Sequence, residues 1–399
     1  MARAVVIGGG IGGLTAGVAL HQRGWDVTVM ERAEKIEPVG SGLAIAANAL
    51  KALDVIGLGD EVRKLSSIQG MAGIQSADGR WITHTTEDTA HERYGDSIVM
   101  MLRATLTELL LDALPNGALR LGAEVREIPD ADLVVAADGI HSATRKKLFP
   151  EHPGPVYSGT TAWRVLVPKP DRPLQTTETW GRGMVVGVMP LAGDLVYMYA
   201  TDVLPAGTVF PKRQDERTEQ DERAEQHERA EQEERAEQDE RAELLRRFGG
   251  WHDPIPALLE SADNARIIRN DVYYLDTPLP AMHQGNIALL GDAAHPMTPN
   301  LGQGACQAIE DAVVLSLLAD RGLAAYTAAR LDRTAKVVKM SRQICALTKV
   351  RNPLAVRLRD AGMRLGSRLN PDLMLKSMDE VLAWHPPVPS SGQAPAVQG

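Results

Sequence analysis

Apolar and polar positions alternate between two rhythms along this chain. Residues 3–8 read RAVVIG, a short run typical of a strand buried on both faces, and a helical pattern follows to Arg23. A second strand pattern at 26–30 ends in Glu31. Similar buried-strand runs recur at 132–137 (DLVVAA) and 286–291 (NIALLG). Strands separated by helices predict a parallel sheet with helices packed on it. The stretch 156–210 differs. Strand patterns at 163–167, 177–180, 184–189 and 195–200 are bounded by Gly, Pro and Asp turns, which predicts an antiparallel sheet. Residues 98–114 read as a helix with Leu102, Leu106, Leu109, Leu110 and Leu114 on one face, and 302–320 as a second long helix. The stretch 354–384 predicts one or two amphipathic helices broken near Asn370-Pro371. The tail beyond His385, rich in Pro, Gly and Ser, is expected to be disordered.

Composition narrows the class. With 399 residues, 44% apolar and 24% charged, the chain suits a globular protein of two or three domains or one large composite domain. No apolar run reaches the ~20 residues that span a bilayer, and the N-terminal run is broken by glycines, unlike a signal peptide. Two cysteines, Cys306 and Cys345, exclude a disulfide scaffold and point to the reducing cytoplasm. No His/Cys/Asp/Glu spacing suggests a metal site. The net charge of −9 belongs to one segment. Residues 214–243 are five hexads of the form Q-D-E-R-A-E, holding fourteen acids and five bases, so the rest of the chain is balanced. That excludes a basic nucleic-acid footprint. A six-residue period keeps no side chain on one helix face, so the repeat is expected to be a solvated surface insertion rather than a coiled coil, with a partner-binding arm as the alternative.

The chemistry starts at Gly8-Gly9-Gly10-Ile11-Gly12-Gly13, a G-x-G-x-x-G between a strand and a helix. Gly8 suits the tight turn, Gly10 the approach of a pyrophosphate, and Gly13 the packing of helix on strand. The free N–H groups and positive dipole of the helix start favour phosphate. Glu31, 18 residues past Gly13, is placed to accept from a ribose hydroxyl and disfavours a 2′-phosphate. Two later strands end in Asp138-Gly139 and in Gly291-Asp292. The second leads through Pro299, Leu301, Gly302 and Gln303 into a helix, a setting suited to a sugar-alcohol chain.

Together with ANALKALDVIGLGDEV at 47–62, LRATLTELL around Arg103, AADGIHSATR at 136–145 and LLGDAAHPMTPNLGQGACQAIEDAVVL at 289–315, these motifs run in order over most of the chain. In this it resembles the FAD-dependent aromatic hydroxylases, the single-component class A flavoprotein monooxygenases, and among them the short salicylate hydroxylase-like and urate hydroxylase-like members. The resemblance implies an α/β fold. It would have a Rossmann-type FAD-binding domain (1–155 and 284–350), an inserted antiparallel-sheet substrate domain (156–283) carrying the hexad repeat, and C-terminal helices with a tail (351–399). It implies FAD held by Gly8, Gly10, Ile11, Gly13, Glu31, Arg32, Arg103, Asp138, Asp292, Leu301, Gly302 and Gln303, with Pro299 lining the reaction face. It further implies NAD(P)H as reductant without a Rossmann domain of its own. O2 would be the oxidant, and oxygen would reach a small aromatic or similarly activated substrate, by hydroxylation or epoxidation, through a flavin C4a-hydroperoxide. One wall of the substrate pocket would be the 156–200 sheet, with Trp163, Arg164, Met184, Val186, Met198 and Tyr199 as candidates. Arg164 and Tyr199 are the candidates for catalysis; for Arg164 a surface ion pair is an equal alternative. His295 is expected to have a structural or flavin-side role and not to be a base, and Cys306 to be a packing residue. The family's strand-rich stretch before the DG motif is reduced here to 116–131, so the sheet beside the adenosine is expected to be trimmed.

Other functions on the same motifs stay open: a flavin halogenase, although its W-x-W-x-I-P signature is absent at Trp163-Arg164-Val165, a dehydrogenase, or a non-enzymatic flavin-binding interaction protein. A weak homo-oligomer is also left open.

Overall fold

The computed structural model describes residues 1–36, 40–66, 71–210, 240–370 and 372–388. The chain runs β1 (Arg3–Ile7), α1 (Ile11–Gln22), β2 (Asp26–Met30), β3 (Gly42–Ile45), α2 (Ala47–Val55), α3 (Gly59–Arg63), β4 (Met71–Ser76) and β5 (Trp81–Thr86). Then come α4 (Glu87–Tyr94), β6 (Val99–Leu102), α5 (Arg103–Ala113), β7 (Leu119–Arg120), β8 (Leu133–Ala136) and α6 (Ala143–Leu148). Next are β9 (Val156–Pro168), β10 (Thr176–Trp180), β11 (Met184–Pro190), β12 (Leu195–Asp202), a helix α7 through 240–248, α8 (Ile255–Glu260) and β13 (Ile268–Tyr274). The last elements are β14 (His283–Gln284), β15 (Ile287–Leu289), α9 (Gly304–Leu318), α10 (Leu323–Thr348), α11 (Pro353–Leu369), α12 (Leu373–Lys376) and α13 (Asp379–Leu382).

The first sheet has the order β14-β15-β8-β1-β2-β7, with β15, β8, β1, β2 and β7 parallel. All four residues of β8 are buried, and so are four of five in β1, which is why these strands read as unbroken apolar runs. Helices α1, α2 and α9 close over this sheet. Their Leu14, Leu20, Leu50, Leu53, Ile309 and Val313 form one core with Val6, Val29 and Val135. The edge strand β7 is two residues long, and the rest of 116–131 has no other strand.

The second sheet has the order β13-β9-β12-β11-β10-β4-β5. It is antiparallel except where β10 runs parallel to β4. Strands β4 and β5 lie inside the 1–155 span yet complete this sheet. They do so because β10 offers a free edge that β4 satisfies over Thr176–Trp180. Its outer face, with Trp163, Val165, Val186, Val188, Val196 and Met198, packs on α7 and α8 through Leu244, Phe248, Leu258 and Leu259.

Two expectations change. The helix expected at 98–114 begins only at Arg103. Residues 99–102 are extended and pair with β3, and the leucine periodicity belongs to Leu106 and Leu110 onward. The hexad repeat up to residue 239 and the tail from 389 lie outside the described residues. The last hexad's Glu240 and Glu243, in α7, are not solvated. Glu240 accepts from Trp163 Nε1 (2.6 Å) and pairs with Arg269, and Glu243 pairs with Arg246 and Arg247.

Candidate active site

The glycine turn lies between the end of β1 and the start of α1. Gly8 has φ +109°, and a Cβ there would sit 2.4 Å from the Ala137 carbonyl oxygen. A Cβ on Gly13 would sit 1.9 Å from the Gly8 carbonyl oxygen, so helix and strand approach only as glycines. Around the Gly10 Cβ position there is open space, and the first-turn N–H groups of α1, beginning at Ile11, lack intrahelical partners. The Glu31 carboxylate stands at this turn, accepting from Gly9 N (2.6 Å) and Ala33 N (2.9 Å). Arg32 beside it is exposed. At the end of β8, Asp138 accepts from Thr144 N with one oxygen, while its buried Oδ1 has no partner. Open space over glycine, free donors at a helix start and the unpaired Asp138 Oδ1 beside them fit a dinucleotide such as FAD.

Beyond this turn Arg103, Asp292 and Arg164 come together between the parallel sheet and the inner face of the second sheet, and this region is the candidate cleft. Asp292 is open to the cleft although protein surrounds it. Burial pushes its carboxyl up, against the pull of His295, Arg103 and Arg145. Burial likewise lowers the Arg103 guanidinium, with Asp292 opposing that shift and Arg164 adding to it. Arg103, Asp292 and Arg164 thus share one electrostatic neighbourhood. Arg145, 1% exposed, ties the two Asp motifs together. It donates to the carbonyls of Asp292 (3.2 Å), Ala293 (2.9 Å) and Ile140 (2.5 Å). Pro299 and Leu301 belong to a single 3-10 turn that ends at Gly302, φ +62°. Pro299 is exposed and Leu301 half-buried. Gln303 is turned inward instead: its Oε1 accepts from Asn48 (3.0 Å) and Gln307 (3.1 Å), so only its backbone is available to a ligand.

On the second sheet, alternation separates the pocket candidates. Trp163, Met184, Val186 and Met198 pack with the outer-face core. Arg164 and Tyr199 face the cleft. The register sets Glu178, Gly187, Tyr199 and Arg164 side by side across β10, β11, β12 and β9. Tyr199 donates its hydroxyl to Glu178, which also accepts from Trp180 Nε1 (2.9 Å). Burial raises both Glu178 and Tyr199 above their ordinary ranges. Arg164 lies beside the Tyr197 hydroxyl and donates to Asn270 Oδ1 (2.8 Å); among the described residues it has no ion-pair partner within 4 Å. Met100, Leu191 and Tyr197, with Leu102, Leu166 and Met189, form an apolar floor.

Behind the Asp292 turn lies a buried charged network that sequence reasoning missed. Arg330, fully buried, pairs with Glu310 and with Asp311 (2.6 Å), and Arg333 pairs with Glu310 (2.7 Å). Asp311 accepts from the Gly291 N–H (2.9 Å) and holds His295 Nε2 (2.5 Å), which ties His295 into this network. Cys306 is buried, and its thiol is pushed up to about 12 by burial, which suits packing and not nucleophilic attack. Among the described residues no group of His, Cys, Asp or Glu could hold a metal ion. No described helix is long and apolar enough to cross a membrane.

The FAD binding domain family matches residues 1–128 and 120–341. The chain is 37% identical to the aurachin C monooxygenase/isomerase of Stigmatella aurantiaca, covering 91% of this chain and 94% of that protein. It is 31% identical to the FAD-dependent urate hydroxylase of Klebsiella pneumoniae, covering 87% and 90%. The crystal structure of Klebsiella pneumoniae HpxO with FAD and uric acid superposes with a TM-score of 0.81 at 28% identity, over 96% of each chain. A family match over most of the chain, with relatives of the same length that are flavin oxygenases, leaves no room for the halogenase or non-enzymatic alternatives: this chain belongs to the FAD-binding family of flavoproteins and is an FAD-dependent monooxygenase.

Proposed function

We propose that this chain uses NAD(P)H and O2 to place one oxygen, as a hydroxyl or an epoxide, on a small aromatic ring that carries an acidic O–H or N–H. The observation that carries this reading is the Tyr199–Glu178 pair on the cleft-facing side of the second sheet. Relatives named for urate and aurachin C support an aromatic substrate. FAD, when bound, supplies hydride acceptance from NAD(P)H and activation of O2. Gly8, Gly10, Ile11 and Gly13 would hold its pyrophosphate on the α1 N-terminus, and Glu31 its adenosine ribose, with Arg32 nearby. Asp138, Arg103 and Asp292 would take the ribityl and phosphate region. The backbone at Leu301, Gly302 and Gln303 would face the ring system, with Pro299 over it. The α9 N-terminus there favours developing negative charge.

The rest belongs to the second sheet. A substrate O–H or N–H donates its proton to the Tyr199 oxygen as the Tyr199 proton passes to Glu178. The ring is left electron-rich at the moment oxygen arrives. Glu178 is the acceptor of that proton, and burial, which raises its carboxyl, makes it a stronger base than an exposed carboxylate. The apolar floor of Met100, Leu191 and Tyr197 packs the ring and keeps water from it. In this reading 1–155 and 284–350 bind FAD, with 71–86 lent to the substrate sheet of 156–283. The two buried, unpaired cysteines suit a reducing cytoplasm, where NAD(P)H is available.

The test is turnover with a panel of hydroxybenzoates, hydroxyquinolines and purines under labelled O2. The expected result is substrate-stimulated NADH or NADPH oxidation with one labelled oxygen in the product. Oxidation that yields only hydrogen peroxide with every ring compound would overturn the assignment.

A further inference from the structure

Helix α11 is amphipathic in the reverse sense to an ordinary packed helix. Its polar side chains face the protein. Arg359 stacks over Trp180 and donates to the carbonyls of Leu347 (3.1 Å) and Gly181 (3.4 Å). Arg364 donates to the Trp81 carbonyl (3.1 Å) and to Ser76 Oγ (3.0 Å), Ser367 accepts from Thr83, and Asp360 is buried beside Arg359. Its leucines face outward: Leu354, Leu358, Leu365 and Leu369 are 59–78% exposed. At about 100° per residue these four fall within an arc of about 60°, one straight stripe along the helix. Ala361 and Gly362 continue that exposed face, and Arg357 and Arg368 line one edge of it. The helix's one acid, Asp360, is not on that face, so every exposed charge of α11 is positive.

We propose that this stripe seats the enzyme on an anionic lipid surface, with the leucines in the acyl boundary and Arg357 and Arg368 on lipid phosphates. Inward-facing polar groups that are already satisfied by the β4–β5 hairpin and the β10–β11 turn leave the leucines exposed, with no covering element among the described residues. A row of leucines edged only by cations matches the acyl-to-headgroup boundary of an anionic leaflet. A second copy of the chain fits less well. Four leucines amount to a patch on the order of the ~300–600 Å² found on monomers, below the ~800 Å² per partner of a stable interface. An antiparallel pairing would also set one arginine edge against the other. The helix lies along the surface and does not span, and it covers a groove of about 630 Å³ lined by Trp180, Arg364 and Asp360.

The test is flotation of the FAD-loaded full chain with vesicles of phosphatidylcholine alone and of phosphatidylcholine with phosphatidylglycerol. The wild type is expected to float with the anionic vesicles and far less with the neutral ones. L358E/L365E should weaken flotation about a hundredfold, as two leucines are lost from the interface. R357Q/R368Q should reduce the preference for anionic vesicles about tenfold or more. Flavin absorbance and melting midpoint should stay unchanged in both variants, because the substituted side chains touch solvent. Absence of wild-type flotation would overturn the proposal. So would equal flotation of the leucine variant, or a wild-type dimer in sedimentation that L358E/L365E converts to monomer. Vesicle binding is read without turnover, so its failure leaves the cleft chemistry untouched, and the reverse.

Discussion

Tyr199 reaches Glu178 across an intervening strand because the residue between them is Gly187. The Tyr199 ring lies where a Gly187 side chain would stand: a Cβ there would be 2.1 Å from Tyr199 Cε1. Gly187→Ala is therefore expected to push the ring off Glu178 and lower kcat about as far as Tyr199→Phe, on the order of a hundredfold. FAD content should be unchanged in both, read from the flavin spectrum after desalting. An alanine variant with wild-type kcat would show that the bond from Tyr199 to Glu178 carries no catalytic proton.

Glu178 also makes a prediction in pH. Its carboxyl is raised in the folded state by burial, with Tyr199 and Trp180 opposing. A raised acid contributes stability below its unfolded value, about 4.3, and loses it as pH rises through the folded value. Glu178→Gln keeps a neutral group of the same shape. The melting midpoint of Glu178→Gln minus that of the wild type should therefore grow from pH 4 to pH 8. A difference that stays flat across that range would mean Glu178 titrates as it does in the unfolded chain.

The glycine turn is legible in the sequence because its geometry is local. Gly8, Gly13 and Glu31 are fixed by backbone approach and a strand end, which adjacent residues encode. The four strands from Trp163 to Ala200 are legible for the same reason, since alternation is local. The site on the second sheet is not. Glu178, Gly187, Tyr199 and Arg164 meet only through register across four strands, and alternation alone leaves Trp163 and Met198 as equal candidates. The pairing of β3 with β6 is hidden because Val99–Leu102 runs straight into a leucine-periodic helix. The charged network is hidden because Glu310 and Asp311 sit in an apolar helix whose partner, Arg330, comes from the next one. The paired acids inside IEDAVVL are the one signal for it, since unpaired carboxylates are rarely fully buried.

At the nucleotide end, Glu31 and Asp292 separate binding from folding. Glu31→Ala is expected to weaken FAD by about 1.5–3 kcal/mol, the value of a charge-assisted hydrogen bond. Asp292→Ala should lose FAD on desalting yet melt no lower than the wild-type apoprotein. Its carboxyl is crowded by protein, and removing it relieves a desolvation cost. Titration of the apoproteins with FAD, beside circular dichroism melts, reads both effects. Wild-type FAD affinity in either variant would remove that residue from the binding site.

The Arg330 network holds the Asp292 turn from behind. Asp311 receives the Gly291 N–H and His295, and Arg330 spans Asp311 and Glu310. Burial works against both acids, yet His295 and Arg330 hold Asp311 below its ordinary range, and Arg330 and Arg333 do the same for Glu310. Acids of this kind contribute stability above the unfolded carboxylate range and lose it as pH falls through their lower folded values. Arg330→Met leaves two buried carboxylates short of a cation and should cost about 3–5 kcal/mol in urea unfolding at pH 7. The penalty should shrink as pH falls toward 4, because protonated Glu310 and Asp311 no longer need the guanidinium. A loss of the same size at both pH values would assign Arg330 to packing alone. A loss that fades in acid would assign it to the charges that keep the Gly291–Asp292 turn in place.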